Sequence, residues 1–230
     1  MHAVNHRNRR KTEVVTGFTM LLTTFCFIAA ILVDFNFISP YTTLHEDLSF
    51  LIDHRNNQVI SSYAWFIVAF LTFISIPLYI FTFNGRLKAL HYIASLFILA
   101  ASASLFVTGW LGLEFSNSIK EMLTTSTQYI EENKLQLLSD FRDIQFYKRI
   151  VSSSLAVFII LLGLTKFRVK LFPVFSSILF IIAGPVLIFF NWYDTEHILM
   201  TSAIAVIATG MIVLCLKLIY SGLSPRNGKN

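Results

Sequence analysis

The chain has 230 residues, of which 55% are hydrophobic and only 13% are charged, about half the ~25% charged share of soluble domains. A water-soluble protein of this size cannot bury so much apolar surface, so the composition excludes an ordinary soluble domain and indicates a lipid environment. The net charge of +5 would suggest a nucleic-acid partner in a soluble protein. In a membrane protein the position of the charges matters more than their sum, and we predict no nucleic-acid partner.

Six apolar stretches follow one another along the chain and predict six transmembrane helices. A bilayer core ~30 Å thick needs about 20 helical residues. Charged side chains are absent from all six stretches except for Lys217, near the end of the last one. The predicted fold class is therefore all-α, a polytopic membrane helical bundle. The predicted spans are 14–33, 60–83, 89–111, 150–165, 171–190 and 198–219.

The domain organisation follows from these spans. Residues 1–13 form a basic N-terminus, 14–220 the six-helix transmembrane domain with an outer helical segment at 112–149, and 221–230 a tail. The first span runs for about 20 residues, which is longer than the ~7–15 apolar residues of a secretory signal. We therefore predict that it is retained as a helix.

The distribution of charge predicts the orientation in the membrane. If the N-terminus is cytoplasmic, twelve of the eighteen basic residues and only one of the thirteen acidic residues, Glu13, lie on the inner side. Short basic connections such as "NGRLK" and "KFRVK" are what the positive-inside rule requires of cytoplasmic loops. We predict a multi-pass protein of the cell (inner) membrane, surrounded by membrane lipids, with both termini cytoplasmic.

Residues 118–149 differ from the rest of the chain, since these 32 residues carry ten charges. Apolar side chains recur along them at three- and four-residue steps, which is typical of an amphipathic helix. Some 30 residues bury too little surface to fold alone. We predict that helix three continues outward beyond Glu114, turns near "EENK" and returns into helix four. This outer helical hairpin could contact a membrane protein partner.

The three tryptophans stand near the predicted outer ends of their helices. They are Trp65, Trp110 and Trp192. Tryptophan rings prefer the membrane–water interface, so the pattern favours an aromatic belt. Stacking on a ligand is the alternative interpretation.

Polar residues at the outer helix ends predict a water-accessible mouth above the bundle. Separately, the Gly184–Pro185 pair predicts a kink in helix five, and a kinked helix could line a cavity. Lys148 and Arg149 lead into helix four at a similar depth. Ordinary polarity of helix ends is the alternative explanation. The candidate ligand-binding residues are Asp34, Glu114, Arg149, Pro185, Asn191 and Asp194.

Two acidic–histidine clusters, "HED" and "DTEH", occur in predicted outer loops. If the loops met, imidazole and carboxylate groups could ligate Zn²⁺ or Mn²⁺. Solvated acidic loops are the alternative. The candidate metal ligands are His45, Glu46, Asp194 and His197. No pair of deep histidines for haem, no G-x-S-x-G and no phosphate loop is present in the sequence, so we predict neither a cofactor nor catalytic residues.

Several pieces of the chain resemble one known family. They include "DLSFLIDHRNNQVISSYAWFIV", "GRLKALHYIASLFILAASASL" and "LLGLTKFRVKLFPVFSSILFIIAGPVLIF", with Gly163, Pro173 and Gly184 as matching positions. Together they resemble the small prokaryotic six-span membrane proteins catalogued as domain of unknown function 4386. Ser176 and Ser177 stand where that family often has Leu-Gly. The resemblance implies the six-span fold and carries no catalytic residues.

Three functions are compatible with these patterns. The first is a non-enzymatic bundle that binds a lipid-like ligand or a membrane partner. The second is a small transporter or channel with an outer polar mouth, and the third is a metal-dependent membrane enzyme. The residues favour the first, because no charge lies mid-span and no established catalytic motif is present.

Overall fold

The structure is a computed structural model that describes residues 2–34, 55–82, 88–125, 133–169, 174–193 and 197–223, with only the backbone described at some helix ends. Apart from Asp34 and Asn133, all of these residues are helical. The helices are α1 (His2–Val33), α2 (Arg55–Thr82), α3 (Lys88–Thr125), α4 (Lys134–Val169), α5 (Val174–Tyr193) and α6 (His197–Leu223).

The helices have the length and apolar character of membrane spans. Five of the six contain a stretch that is long and apolar enough to cross a membrane, and in α5 the described apolar stretch, Ser177–Phe189, is shorter. Pro77 and Pro185 both lie inside continuous helices. A membrane span must satisfy its backbone hydrogen bonds internally, and continuous helices do so. The prediction of an all-α membrane bundle is confirmed.

The six helices pack as a closed ring in chain order, with each helix against its sequence neighbours and α6 against α1. Neighbours run antiparallel. The hydroxyl of Thr16, near the middle of α1, lies 2.6 Å from that of Thr82 at the end of α2. Asp34, directly after α1, instead bonds Trp65 in the first half of α2. We call the end of the ring where α1 stops the Asp34 end; it is the predicted outer side.

Glycines bring the helices into close contact. A Cβ at Gly184 of α5 would lie 2.9 Å from the carbonyl oxygen of Ala156 on α4, and one at Gly17 of α1 would lie 2.9 Å from that of Cys215 on α6. Contacts this short leave room only for a hydrogen. Small residues permit such approach of membrane helices, where packing rather than the hydrophobic effect drives association.

Both helical arms of the hairpin predicted between helices three and four are present, and most of the predicted turn near "EENK" lies outside the described residues. α3 runs on to Thr125 and α4 begins at Lys134, so each helix extends well past its predicted span. Phe115 and Ile119 of α3 pack with Leu137, Phe141 and Ile144 of α4 in a separate apolar cluster. The hairpin is therefore continuous with the spans and rests on its own small core.

The bundle presents apolar side chains outward and hides polar ones. Phe18, Phe70, Phe106 and Phe189 are all more than half exposed, whereas many serines and threonines are buried. In water such an exposed apolar surface would promote aggregation, whereas in a membrane it contacts the lipid chains. The polar groups that could form a binding site therefore lie in the interior of the ring.

Candidate functional site

A cavity of about 120 Å³ occupies the centre of the ring. It lies between the helices rather than at a helix end, and every helix contributes to its wall. Cavities between the helices of a bundle are common ligand sites. One lining residue from each helix in turn is Met20, Tyr79, Leu105, Phe158, Leu187 and Met211.

Four hydroxyl groups on the cavity wall donate hydrogen bonds within their own helices. Thr23, Thr24, Ser75 and Ser152 line the cavity, and each donates to the carbonyl oxygen four residues earlier over 2.8 to 3.1 Å. This bond uses the hydroxyl hydrogen, so the cavity does not have to supply an acceptor for it. The wall therefore offers mainly methyl, methylene and ring surfaces.

An ion pair lies beyond the cavity, toward the Asp34 end of the ring. The Lys148 ammonium lies 2.8 Å from Oδ2 and 3.0 Å from Oδ1 of Asp34. The two side chains are 5% and 1% exposed, respectively. α1 and α4 are not neighbours in the ring, so the pair meets across its interior. Ser152, one turn along α4 from Lys148, lines the cavity, which places the pair about 6 Å beyond it along the helix.

Trp65 holds the same carboxylate from a third helix. Its indole Nε1 donates to Oδ2 of Asp34 over 2.7 Å, and the residue is only 1% exposed. The ring of Phe27, a lining residue of the cavity, meets the Trp65 ring edge-on with centroids 5.8 Å apart. Asp34 thus accepts hydrogen bonds from the Lys148 ammonium and from the Trp65 indole. Both donors are buried, and hydrogen bonds to a charged group are strong in such surroundings.

A second polar contact lies at the opposite end of the cavity. The Tyr79 hydroxyl on α2 is 2.8 Å from Nδ1 of His91 on α3, and both residues are buried. Tyr79 lines the cavity and also meets the ring of Phe158 across the bundle at 5.5 Å. The cavity therefore lies between an ion pair at one end and a tyrosine–histidine pair at the other.

The structure separates the predicted ligand-binding residues that it describes. Asp34 is part of the buried ion pair, and its partner is Lys148, the residue before the predicted Arg149. Arg149 is half-buried and projects from α4 about 100° away from Lys148. Glu114 and Pro185 are exposed. The buried site therefore contains Asp34 and not the exposed pair Glu114 and Pro185.

The remaining predicted site residues lie outside the described side chains. These are His45, Glu46, Asn191, Asp194 and His197. Among the side chains that the structure does describe, no group of three potential metal ligands comes together. The metal site thus stays a prediction about the outer loops.

Sequence reasoning missed two members of the site. Trp65 was expected in an interfacial belt, but the structure buries it against Asp34; Trp110, 54% exposed, is placed as a lipid-facing belt residue would be. The sequence places Lys148 and Arg149 at a similar depth and predicts Arg149 as the ligand-binding residue, whereas in the structure Lys148 pairs with Asp34. The four-residue spacing of Lys148 and Ser152 places both polar residues on one face of α4. This spacing is the sequence feature that favours Lys148 over Arg149 as the inward-facing residue.

Comparison with known proteins gives no further guidance, since no family model, curated protein or solved structure matches the chain. The resemblance to domain of unknown function 4386 consequently stays a prediction.

Proposed function

We propose that this integral membrane protein is a non-enzymatic binding bundle that holds the apolar part of a lipid-like ligand in its central cavity. The cavity carries the proposal, because all six helices line it and its wall is apolar. An engineered apolar cavity of about 150 Å³ stays dry and binds benzene or xenon. A cavity of about 120 Å³ suits a benzene-sized group or a short length of alkyl chain.

The state of the wall hydroxyls separates this proposal from a water-filled pore. A buried water needs two to four polar partners, and the hydroxyls of Thr23, Thr24 and Ser75 each already donate to a backbone carbonyl. These three hydroxyls therefore have no hydrogen left to donate to a water in the cavity. An apolar ligand loses nothing on entering such a wall and gains contact with its methyl and ring surfaces.

Photolabelling tests the proposal directly. The protein in lipid nanodiscs is irradiated with a diazirine-bearing octanol, and the labelled residues are mapped by mass spectrometry. We expect label on Tyr79 and Met211, which line the cavity, and we expect unlabelled octanol to compete for it. Label on lipid-facing residues such as Phe70 and Phe106 should not be competed, because bulk lipid surface does not saturate.

A matched pair of variants on α6 supplies the control. Ala208 lines the cavity, whereas Ala205, three residues earlier, is exposed. Ala208→Phe should fill the cavity and abolish the competed label, and Ala205→Phe should leave it intact. Equal labelling of the two variants would show that the cavity is not the binding site.

A small transporter is the second candidate, and the Asp34–Lys148 pair favours it. Ionisable residues inside membrane bundles are costly and commonly mark substrate pathways. Asp34→Asn should then abolish flux of the bound ligand into proteoliposomes while expression is retained. Flux at the wild-type rate would exclude a role of the carboxylate in transport.

Binding of a membrane partner through residues 118–149 supplements the cavity proposal. The paired α3 and α4 extensions give the hairpin a defined shape, which a partner surface requires. The third function, a metal-dependent enzyme on the outer loops, depends on His45, Glu46, Asp194 and His197. Elemental analysis of purified wild type and His197→Ala tests it.

A further inference from the structure

The Asp34–Lys148 pair needs an explanation beyond stability. Removing two charges from water is costly, and well-packed apolar residues in place of a buried pair are often neutral or stabilising. The pair spans the interior of the ring about 6 Å beyond the cavity along α4, and Trp65 donates to its carboxylate. An ionisable pair beside a cavity in a membrane bundle is a binding-site candidate with both partners named.

The charge balance of the site restricts what can bind to it. Asp34 and Lys148 are the only carboxylate and ammonium that are buried in the part of the chain whose side chains are described. A purely anionic headgroup at Lys148 would set two anions against one buried ammonium. A purely cationic headgroup at Asp34 would set two cations against one buried carboxylate. Either outcome leaves an uncompensated buried charge, which is strongly unfavourable.

A headgroup with both charges avoids this cost. An ammonium placed against Asp34 and an anionic group placed against Lys148 would exchange one ion pair for two, and every charge stays paired. Among ligands that interact with the pair, net-neutral dipolar ones are therefore favoured over singly charged ones.

We propose that the Asp34–Lys148 pair is the headgroup site of the central cavity and that its ligand is a zwitterion with an apolar group. The ligand ammonium binds Asp34, its carboxylate or phosphate binds Lys148, and its apolar group enters the cavity. This inference rests on the proposed function, because the apolar group needs the cavity. The same chemistry is offered by a free apolar amino acid and by a phosphoethanolamine lipid.

A further donor lies near the anionic half of this site. Nε2 of Gln145 is buried and has no hydrogen-bond partner among the described residues. Gln145 precedes Lys148 by three residues, so the two share a face of α4. Burying an amide donor without a partner is unfavourable, and an anionic group held at Lys148 would give this face of α4 an acceptor.

Four phenyl compounds of similar size test the proposal by varying charge alone. They are phenylalanine (zwitterion), 3-phenylpropionate (anion), phenethylamine (cation) and 3-phenylpropanol (neutral). The chain has three tryptophans, so a Trp110→Phe/Trp192→Phe variant leaves Trp65 as the single reporter beside the pair. Binding is measured from Trp65 fluorescence in nanodiscs, with protein-free nanodiscs correcting for partition into lipid. Phenylalanine should bind at least about tenfold more tightly than either singly charged compound.

The variant Asp34→Asn/Lys148→Met assigns this preference to the pair. Asn keeps an oxygen that can accept the Trp65 N–H, and Met keeps the length of the lysine stem. The double variant should bind 3-phenylpropanol as the wild type does and lose its preference for phenylalanine. Should it fold poorly, the exchanged pair Asp34→Lys/Lys148→Asp retains both charges and should retain the preference.

The outcomes distinguish this inference from the proposed function. If 3-phenylpropanol binds but phenylalanine binds no better than the singly charged compounds, the headgroup site is disproved and the cavity stands. A preference that survives Asp34→Asn/Lys148→Met also disproves it. If none of the four binds and photolabelling is not competed, the cavity proposal fails and this inference with it. Displacement of bound phenylalanine by leucine, or by lysophosphatidylethanolamine but not lysophosphatidylglycerol, supports the site and identifies its source of ligand.

Discussion

The Lys148 ammonium lies 2.8 Å from the Asp34 carboxylate, although 114 residues separate the two along the chain. The contact joins α1 to α4 across the interior of the ring, and Trp65 of α2 joins it through a 2.7 Å bond. Three helices therefore share one buried polar contact at the Asp34 end of the ring. Its loss should affect both stability and binding.

We expect Asp34→Asn to destabilise the protein by about 3–5 kcal/mol, because the Lys148 ammonium stays buried without its counter-ion. Asp34→Asn/Lys148→Met should recover most of this loss, since it removes both charges. Unfolding in detergent, followed by circular dichroism, measures the difference. Glu114→Gln serves as the control, because Glu114 is exposed. A double variant less stable than the single one would contradict this account.

Trp65 and Trp110 should report different environments. Trp65 is 1% exposed and Trp110 is 54% exposed on the outside of the bundle. In single-tryptophan variants, brominated lipid should quench Trp110 strongly and Trp65 weakly, because quenching requires contact with the lipid chains. Comparable quenching of the two residues would mean that Trp65 contacts lipid, as expected for a residue of an interfacial aromatic belt.

Tyr79→Phe removes the hydroxyl that contacts Nδ1 of His91. We expect a loss of about 1–3 kcal/mol, since a buried polar group of His91 then loses a partner. Tyr63→Phe is the matched control on the same helix, because Tyr63 is 57% exposed. Thermal unfolding of both variants in the same detergent gives the comparison, and equal melting temperatures would show that the contact contributes nothing.

Gly184→Leu should separate α5 from α4. A Cβ at Gly184 would collide with Cγ1 of Ile160 and would lie 2.9 Å from the carbonyl oxygen of Ala156. Overpacking of this kind costs about 1–3 kcal/mol, and part of the cavity wall, Leu187, lies on the same helix. We expect a lower melting temperature and weaker octanol competition. Ala205→Leu, at an exposed position on α6, should change neither quantity.

Trimming the hairpin separates a partner surface from the bundle. Ile119 and Leu137 pack in the same cluster, so replacing residues 120–136 by a short glycine–serine linker cuts both helices at one level. The six-helix ring and octanol competition should persist, because the cavity is lined by residues outside the removed segment. A partner that binds the hairpin tip should no longer co-purify, whereas its continued presence would place the contact elsewhere.

Much of this architecture could be predicted from the order of residues alone. The apolar stretches fix which segments form spans, because each needs about 20 residues to cross ~30 Å of hydrocarbon. The apolar repeat through Ile119, Leu137 and Phe141 predicted the hairpin, and these residues do form its core. Asp34 was also recognised as a polar residue at a helix end. These features depend on local composition and spacing, which the sequence displays directly.

The tertiary structure decided which side chains face one another. Lys148 and Arg149 have almost the same depth, and only the rotation of α4 selects Lys148 for Asp34. The same holds for Trp65, whose depth fits a membrane interface but whose direction is inward. Lipid chains are as apolar as a protein core, so hydropathy fixes the depth of a residue but only weakly fixes the direction in which it points. That direction is set by packing between distant segments, which also creates the central cavity.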